Sequence, residues 1–275
     1  MQISDLFDQI EQLPMVPEVV QTLIMELNDP DIDLNAVASD VAKDQAISLK
    51  VLKIVNSAHF GLNRKIASID EAVVMIGMAK LKNIVVASGL TSSIQHVVGM
   101  DMKKFWQESI YIAGIAKELA ILTEESDPDT AFTAGLLSTI GNLLIVMGAP
   151  SSSISIKEKV DAGLKIYQAE LDVLGFSSGK LASKLIEKWQ FPEVLSQAIN
   201  AYQDPKNLAE ESRLAYILNL ARYLAEENLK GSDFDTIMLG FPHEVANEIQ
   251  VTHQLMECHL DSIFVEISGL DELLN

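Results

Sequence analysis

From Thr130 to Ile156 the chain carries no charged side chain. An apolar run this long has two stable fates, a lipid bilayer or the inside of a protein. This one is interrupted by Gly135, Ser138, Thr139, Gly141, Asn142, Gly148 and Pro150, and its flanks are not strongly basic. It therefore predicts a central buried helix and argues against a membrane span. Such a helix needs partners on every side. With 275 residues, 48% of them hydrophobic, the chain can supply them. Aromatics make up only 6%, so Leu, Ile, Val, Ala and Met carry the apolar weight, a mix that suits helix packing better than a sandwich of sheets.

Helix punctuation recurs along the rest. Pro17 stands as a first-turn proline opening Glu18 to Leu27, and Asn28-Asp-Pro30 closes that segment. Asp33 is placed to cap a helix to about Lys43, and Ala46 to Ala58 sets Ile47, Val51, Ile54 and Val55 on one face. Ser68-Ile-Asp-Glu71 reads as a capping box for a short helix ending near Gly77, and Ser155-Ile-Lys-Glu158 as another. Lys103 to Leu122 is a long amphipathic stretch, and Ser126-Asp-Pro-Asp129 caps the uncharged helix after it. Further helices are predicted at about Gly179–Gln190, Glu193–Ala201, Leu208–Asn228 and Pro242–Val265. Two β-branched runs, Asn83-Ile-Val-Val-Ala87 and Ile263-Phe-Val-Glu-Ile267, lack a hairpin partner. The fold class is thus all-α, with one seam near Gly99–Asp101 between residues 1–100 and 101–275.

The formal net charge is −19, which disfavours direct contact with nucleic acid or anionic lipid. The charge is uneven. Lys43, Lys50, Lys53, Arg64, Lys65, Lys80 and Lys82 make residues 43–82 mildly basic, whereas acids dominate from Glu187 onward. Cys258 is the single cysteine, so no internal disulfide forms and a reducing compartment fits. Met1 to Asp8 carries acids where an export signal needs bases, and the expected location is the cytoplasm.

Catalytic motifs are weak. Gly175-Phe-Ser-Ser-Gly179 matches the nucleophile-elbow pattern, but a helix precedes it where that motif needs a strand, so it reads as a turn starting the next helix. The same stretch narrowly misses a phosphate loop, and Ser177-Ser-Gly-Lys180 lacks the companion motifs of a serine–lysine site. His253 and Glu257 lie one helical turn apart without a third ligand at suitable spacing, and Lys180, Lys184 and Lys188 form a stripe that reads as a solvated face.

The densest signature is in the N-terminal half: Leu13-Pro-Met-Val-Pro17, Asp44-Gln-Ala-Ile-Ser-Leu-Lys-Val-Leu52, Asn56-Ser-Ala-His-Phe-Gly61, Ser68-Ile-Asp-Glu-Ala72 and Ile76-Gly77, in that order. This series resembles the HDOD family, bacterial signalling proteins related to the HD metal phosphohydrolases, although the family usually has Asp-Pro where this chain has Asp44-Gln45. The resemblance covers about Leu6 to Leu224. It implies an HD-like helical bundle over 101–275 with an N-terminal helical subdomain over 1–100, together one HDOD unit.

The resemblance also locates the hydrolase's metal ligands and shows them replaced. Glu108, in Trp106-Gln-Glu-Ser109, takes the place of the first histidine. Gly135-Leu-Leu-Ser-Thr-Ile-Gly141 resembles Gly-Leu-Leu-His-Asp-Ile-Gly, so Ser138 and Thr139 stand for the His-Asp pair. Ser178 follows Leu174-Gly175 where a further ligand belongs, and Tyr202-Gln203 replaces the His-His after Trp189-Gln-Phe-Pro192. Ala221-Arg222 falls where Ala-Asp would bring the last carboxylate. Hydroxyls are poor ligands beside imidazole and a guanidinium repels a cation, so the expectation is a vacated former site with no metal, no cofactor and no catalysis.

What the resemblance then implies is a non-enzymatic signal-transduction module working through contacts with signalling proteins of unknown identity. With no receiver-like, GGDEF-like or EAL-like segment visible in the sequence, its input is expected to come from a separate molecule. Lys50, Lys53, Asn56, Ser57, His59, Phe60 and Arg64 are the expected docking residues, and homo-oligomerisation stays open. The alternatives are a metal-dependent phosphodiesterase with unorthodox ligands, or a nucleotide sensor using the vacated site.

Overall fold

Local capping chemistry places most of the helices. Asp44, Ser68, Asp101, Asp127, Ser177, Ser212, Asp233 and Thr252 each accept a backbone N–H in the first turn of the helix they precede. The computed structural model describes residues 1–10, 14–25, 34–57, 60–62, 64–206 and 212–274, the side chains of 34–37 and 272 excepted. The N-terminal helices are α1 (Ile3–Gln9), α2 (Glu18–Met25), α3 (Leu34–Lys43), α4 (Gln45–Val55), α5 (Ile69–Ile76) and α6 (Met78–Ser93). Then come α7 (Met102–Thr123), α8 (Pro128–Ser138), α9 (Ile140–Gly148), α10 (Pro150–Asp161), α11 (Ile166–Leu174), α12 (Ser178–Lys188), α13 (Glu193–Ala201) and α14 (Arg213–Lys230). The chain ends in α15 (Phe234–Leu239), α16 (His243–Glu248), α17 (His253–Ser268) and a closing 3₁₀ helix, Gly269–Leu274. No strand occurs among the described residues. The fold is all-α, as the sequence predicts.

The centre of the bundle is α7. It packs against α8, α14 and α17, and Ile110, Ile112, Ile115, Ala116 and Leu119 along it are fully buried. Lys103–Leu122 was expected to be amphipathic; instead its described counterpart is enclosed on most of its faces. The charge-free run also differs from the expected single helix. It is divided into α8, α9 and the start of α10, with a bend at Thr139 and a new start at Pro150. The segment Pro128–Gly148 is long and apolar enough to cross a membrane, but 83% of its apolar window is buried within the fold. α8 lies so close to α7 that a Cβ on Gly135 would stand 2.7 Å from the Ala113 Cα.

Two more expectations fail for identifiable reasons. Ser155-Ile-Lys-Glu158 is inside α10 and caps nothing, because Pro150 already starts that helix with the fixed φ of a first-turn proline. Pro242–Val265 is two helices: Gln250 turns left-handed (φ 57°), and the turn tucks Ile249 and Val251 into the core before Thr252 caps α17. The β-branched runs at Asn83–Ala87 and Ile263–Ile267 are helical, since burial of Ile84, Val85, Val86, Ile263 and Ile267 outweighs their small helix penalty. The expected helix stop at Asn28–Pro30, the cap at Asp33, and Leu13, Leu27 and Leu208 lie outside the described residues.

One continuous cluster of buried side chains runs through both portions of the chain. α6 packs on α8, and α1 packs on α9, where Leu6 sits against Gly148. Lys188 of α12 lies 4.1 Å above the Phe7 ring, a second contact between α1 and the later bundle.

Candidate functional site

The residues that the resemblance aligns with hydrolase ligands lie together, on α7, the α8–α9 junction, α12, α14 and the C-terminal end of α13. At the bend Ser138 Oγ donates to its own helix at Gly135 O (2.7 Å), and Thr139 Oγ1 shares a 2.6 Å hydrogen bond with Ser109 Oγ of α7. The Tyr202 hydroxyl donates to Ser138 O (3.4 Å) and accepts from Arg222 Nη1 (3.1 Å). Arg222 also donates from Nε to Glu226 (2.9 Å) on the next turn of α14. Gln203 donates to Ser178 Oγ and to Glu170, both at 3.1 Å, and accepts from the Gly179 N–H at 3.0 Å.

The site is filled. Tyr202 is 1% exposed and the Arg222 side chain 14%, so a phenol and a guanidinium stand where a vacated site was expected. The Tyr202 hydroxyl both donates and accepts, and Arg222 is bonded through Nε and Nη1. The group does not fit the divalent cation of the HD enzymes, because hydroxyls already bonded internally and a resident positive charge make no ligand shell. Among the described residues no group of three or more His, Cys, Asp or Glu is placed to share an ion.

Glu170 belongs to this site and escaped the sequence reading. Its carboxylate, 1% exposed, accepts the Ser178 N–H (2.8 Å) as well as the Gln203 amide. The signal was present: Ile166, Ala169, Glu170, Val173 and Leu174 fall at helical spacing, which puts an acid on the apolar stripe of α11.

Charge inside the site is held in balance. Burial works against the Arg222 cation, but Tyr202, Glu226 and Glu108 outweigh it and keep the guanidinium pKa above its ordinary value. Burial likewise raises the Tyr202 phenol against the pull of Arg222, so the hydroxyl stays protonated and able to donate. Glu108 is raised above 4.5, first by burial and then by Glu226, with Arg222 and Lys104 opposing. The folded state therefore keeps a proton on Glu108 that the unfolded chain releases. Its contribution to stability is complete below pH 4.5 and disappears as pH rises through the folded value. Glu108→Gln removes that titration. Denaturant melts of the two proteins should show a stability difference that is flat below pH 4.5 and moves toward the glutamine variant up to pH 7. A difference independent of pH would contradict the burial of this carboxyl.

The expected docking residues divide by role. Asn56 is committed to the backbone: its amide donates to Leu52 O and Ile66 O (2.8 Å each) and its oxygen accepts from the Ile66 N–H (2.7 Å). Lys50 is half-buried, donates to Thr91 Oγ1 (2.6 Å), and has its pKa lowered by burial and by Lys53. Ser57 has a buried Oγ, and Phe60 is half-buried over a cavity. Arg64 pairs with Glu71 at 3.1 Å, and Glu71 also accepts the Ala67 N–H, one residue before the Ser68 partner a full capping box requires. Lys53 and Arg64 are exposed, while His59 lies outside the described residues. Asn56→Ala strips three bonds from the loop and should destabilise the fold by about 2 kcal/mol in chemical denaturation. Loss below about 0.5 kcal/mol would show that this clamp is solvent-replaceable.

The weaker motifs settle as turns and surface. Ser177 is the N-cap of α12, accepting the Lys180 N–H, so the Gly175–Gly179 stretch is a helix start. His253 and Glu257 are exposed, with the His253 ring edge-on to Phe234 at 5.4 Å. The lysine stripe is exposed too, and Lys184 pairs with Glu187.

Compared with known families, residues 13–205 match the HDOD domain. This chain belongs to the HDOD family. A crystal structure of an HDOD domain protein of unknown function from Geobacter sulfurreducens superposes with a TM-score of 0.83 at 22% identity, covering 99% of this chain and 97% of that one. A Marinobacter aquaeolei VT8 protein, provisionally named for signal transduction, gives 0.77 at 21%, over 98% of this chain and 64% of its own. At those identities the likeness establishes the fold alone. A Shewanella amazonensis SB2B protein, provisionally named a phosphohydrolase, gives 0.75 at 27% over 98% and 97%. An uncharacterised protein of Treponema pallidum is 22% identical over 267 residues, 94% of this chain; the HDOD chain spans about half, 52%, of that relative.

Proposed function

We propose that this HDOD chain is a non-enzymatic signal-transduction module that works by binding another protein. The observation that carries the reading is the Arg222–Tyr202 pair. At positions that the resemblance aligns with the ion-holding, water-activating residues of HD hydrolases, this chain has a resident guanidinium and a buried phenol bonded at 3.1 Å. The scaffold around them is retained, including the glycines and leucines of Gly135–Gly141. A fold kept without its chemistry serves as a shape to be recognised. The exposed cations of the N-terminal portion, Lys53 and Arg64, are the proposed contact surface, and they suit an acidic partner face. The name of the Marinobacter neighbour points the same way, that of the Shewanella neighbour to hydrolysis.

Two measurements decide between them. Metal analysis of protein purified with Mn, Fe and Zn present, together with a phosphodiester turnover assay, should give far less than one ion per chain and no turnover above buffer. Near one ion per chain with turnover would replace this reading by the hydrolase. In parallel, a photo-cross-linker at position 53 in the source cells should yield one discrete adduct that Arg64→Glu abolishes. Adducts unaffected by that charge reversal would remove this face as the contact.

A further inference from the structure

A cavity of about 360 Å³ lies between α6, α7, α17 and the closing 3₁₀ helix, apart from the Arg222–Tyr202 site. Its apolar wall comes from Ile84 of α6, Phe132 of α8 and Leu270 of the closing helix, beside polar groups of α6, α7 and α17, and Phe60 reaches it from the loop that Asn56 clamps. Ile121, also on its lining, is left 48% exposed. The size falls at the lower end of the ~300–1,000 Å³ typical of small-molecule sites, and an apolar lining with few polar groups is their usual character.

The polar groups on the wall are unequal. Asn83 and Lys117 are both engaged by the same Asp129 oxygen, at 3.0 and 3.3 Å, and Lys80 pairs with Glu266 at 3.9 Å. Glu118 of α7 is half-buried, lines the cavity and has no hydrogen-bond or ion-pair partner among the described residues. An acceptor-only carboxylate in such a place calls for a donor. Burial first and then the neighbouring Glu266 raise its pKa, while Lys117 and Lys80 on the same wall act to lower it.

We infer that this cavity binds a small amine, with an aromatic or aliphatic body against Ile84 and Phe132 and an ammonium or N–H head on Glu118. The cavity joins the N-terminal portion, the central helix and the C-terminal helix, so occupancy ties three parts of the chain together. The inference does not depend on the signalling reading and concerns a different site.

The test uses the full chain and 2-phenylethylammonium as probe, with 3-phenylpropionate as the anion of similar shape, followed by calorimetric titration or ligand-observed NMR. Saturable binding of the amine at one site per chain is expected. Glu118→Gln should weaken it at least about tenfold, the scale of one charge-assisted hydrogen bond. Ile84→Phe, which fills the cavity with an apolar ring, should abolish binding while circular dichroism and the melting temperature are kept. General attraction of cations to a chain of charge −19 survives in the glutamine variant and is subtracted by it. Absence of saturable binding, equal affinity in Glu118→Gln, or equal binding of the propionate would overturn the assignment.

Discussion

Gly141→Ala is expected to be the most damaging single methyl group that can be added to this protein. A Cβ at that position would stand 1.9 Å from the Ser178 carbonyl oxygen and 2.6 Å from its carbon. Both are backbone atoms at the start of α12, so no side chain can swing aside, and α9 and α12 must separate. Overpacking of a well-filled core usually costs about 1–3 kcal/mol; with backbone on the receiving side, about 4 kcal/mol or more is expected. For a chain of this size that lowers the melting temperature by roughly 8–16 °C. Gly175→Ala is the internal comparison. Gly175 has φ 83° and no atom within 4 Å of a built Cβ, so it incurs only left-handed strain, about 1–2 kcal/mol. If Gly141→Ala melted no lower than Gly175→Ala, the close seating of α9 on α12 would be wrong.

The second large effect is at Arg222. Replacement by Met keeps much of the volume and removes the charge that Glu108, Glu226 and the Tyr202 hydroxyl share. Breaking a fully buried ion pair costs about 3–5 kcal/mol because a charge is stranded. Here the cost should be nearer about 2–3 kcal/mol, since Glu226 is 41% exposed and re-solvates, while Glu108 escapes by keeping its proton. The pH dependence distinguishes this from simple loss of packing. Without Arg222 the larger of the two attractions that oppose burial at Glu108 is gone and only Lys104 remains, so its pKa climbs further, and stability falls more steeply as pH rises above 4.5. Adding Glu108→Gln to Arg222→Met should restore part of the neutral-pH stability, read as a double-mutant cycle by urea melts. A purely additive cycle would mean that the two residues do not share the site's charge.

Gly135 and Gly141 bracket Ser138 and Thr139, which the resemblance aligns with a His-Asp pair, and both glycines are explained by helix contact, against Ala113 and Ser178. The two ends of the motif hold α8 to α7 and α9 to α12. Nothing in the spacing of Gly135–Gly141 distinguishes a glycine needed for packing from one needed for a reaction.

Much was legible because the governing interactions are short. A cap is a side chain and an N–H two or three positions on, so Ser68 and Asp127 act within reach of their own neighbours. The stripe Ile47, Val51, Ile54, Val55 is set by helical pitch and is buried as read. Family membership likewise resides in residue identities. Tertiary structure alone decided the rest: that α7 is the enclosed helix, that the charge-free run bends at Thr139, that Glu170 reaches Ser178 and Gln203, and that Tyr202 and Arg222 fill the site. Those contacts join residues far apart in the chain, and their geometry is set by how whole helices seat on one another.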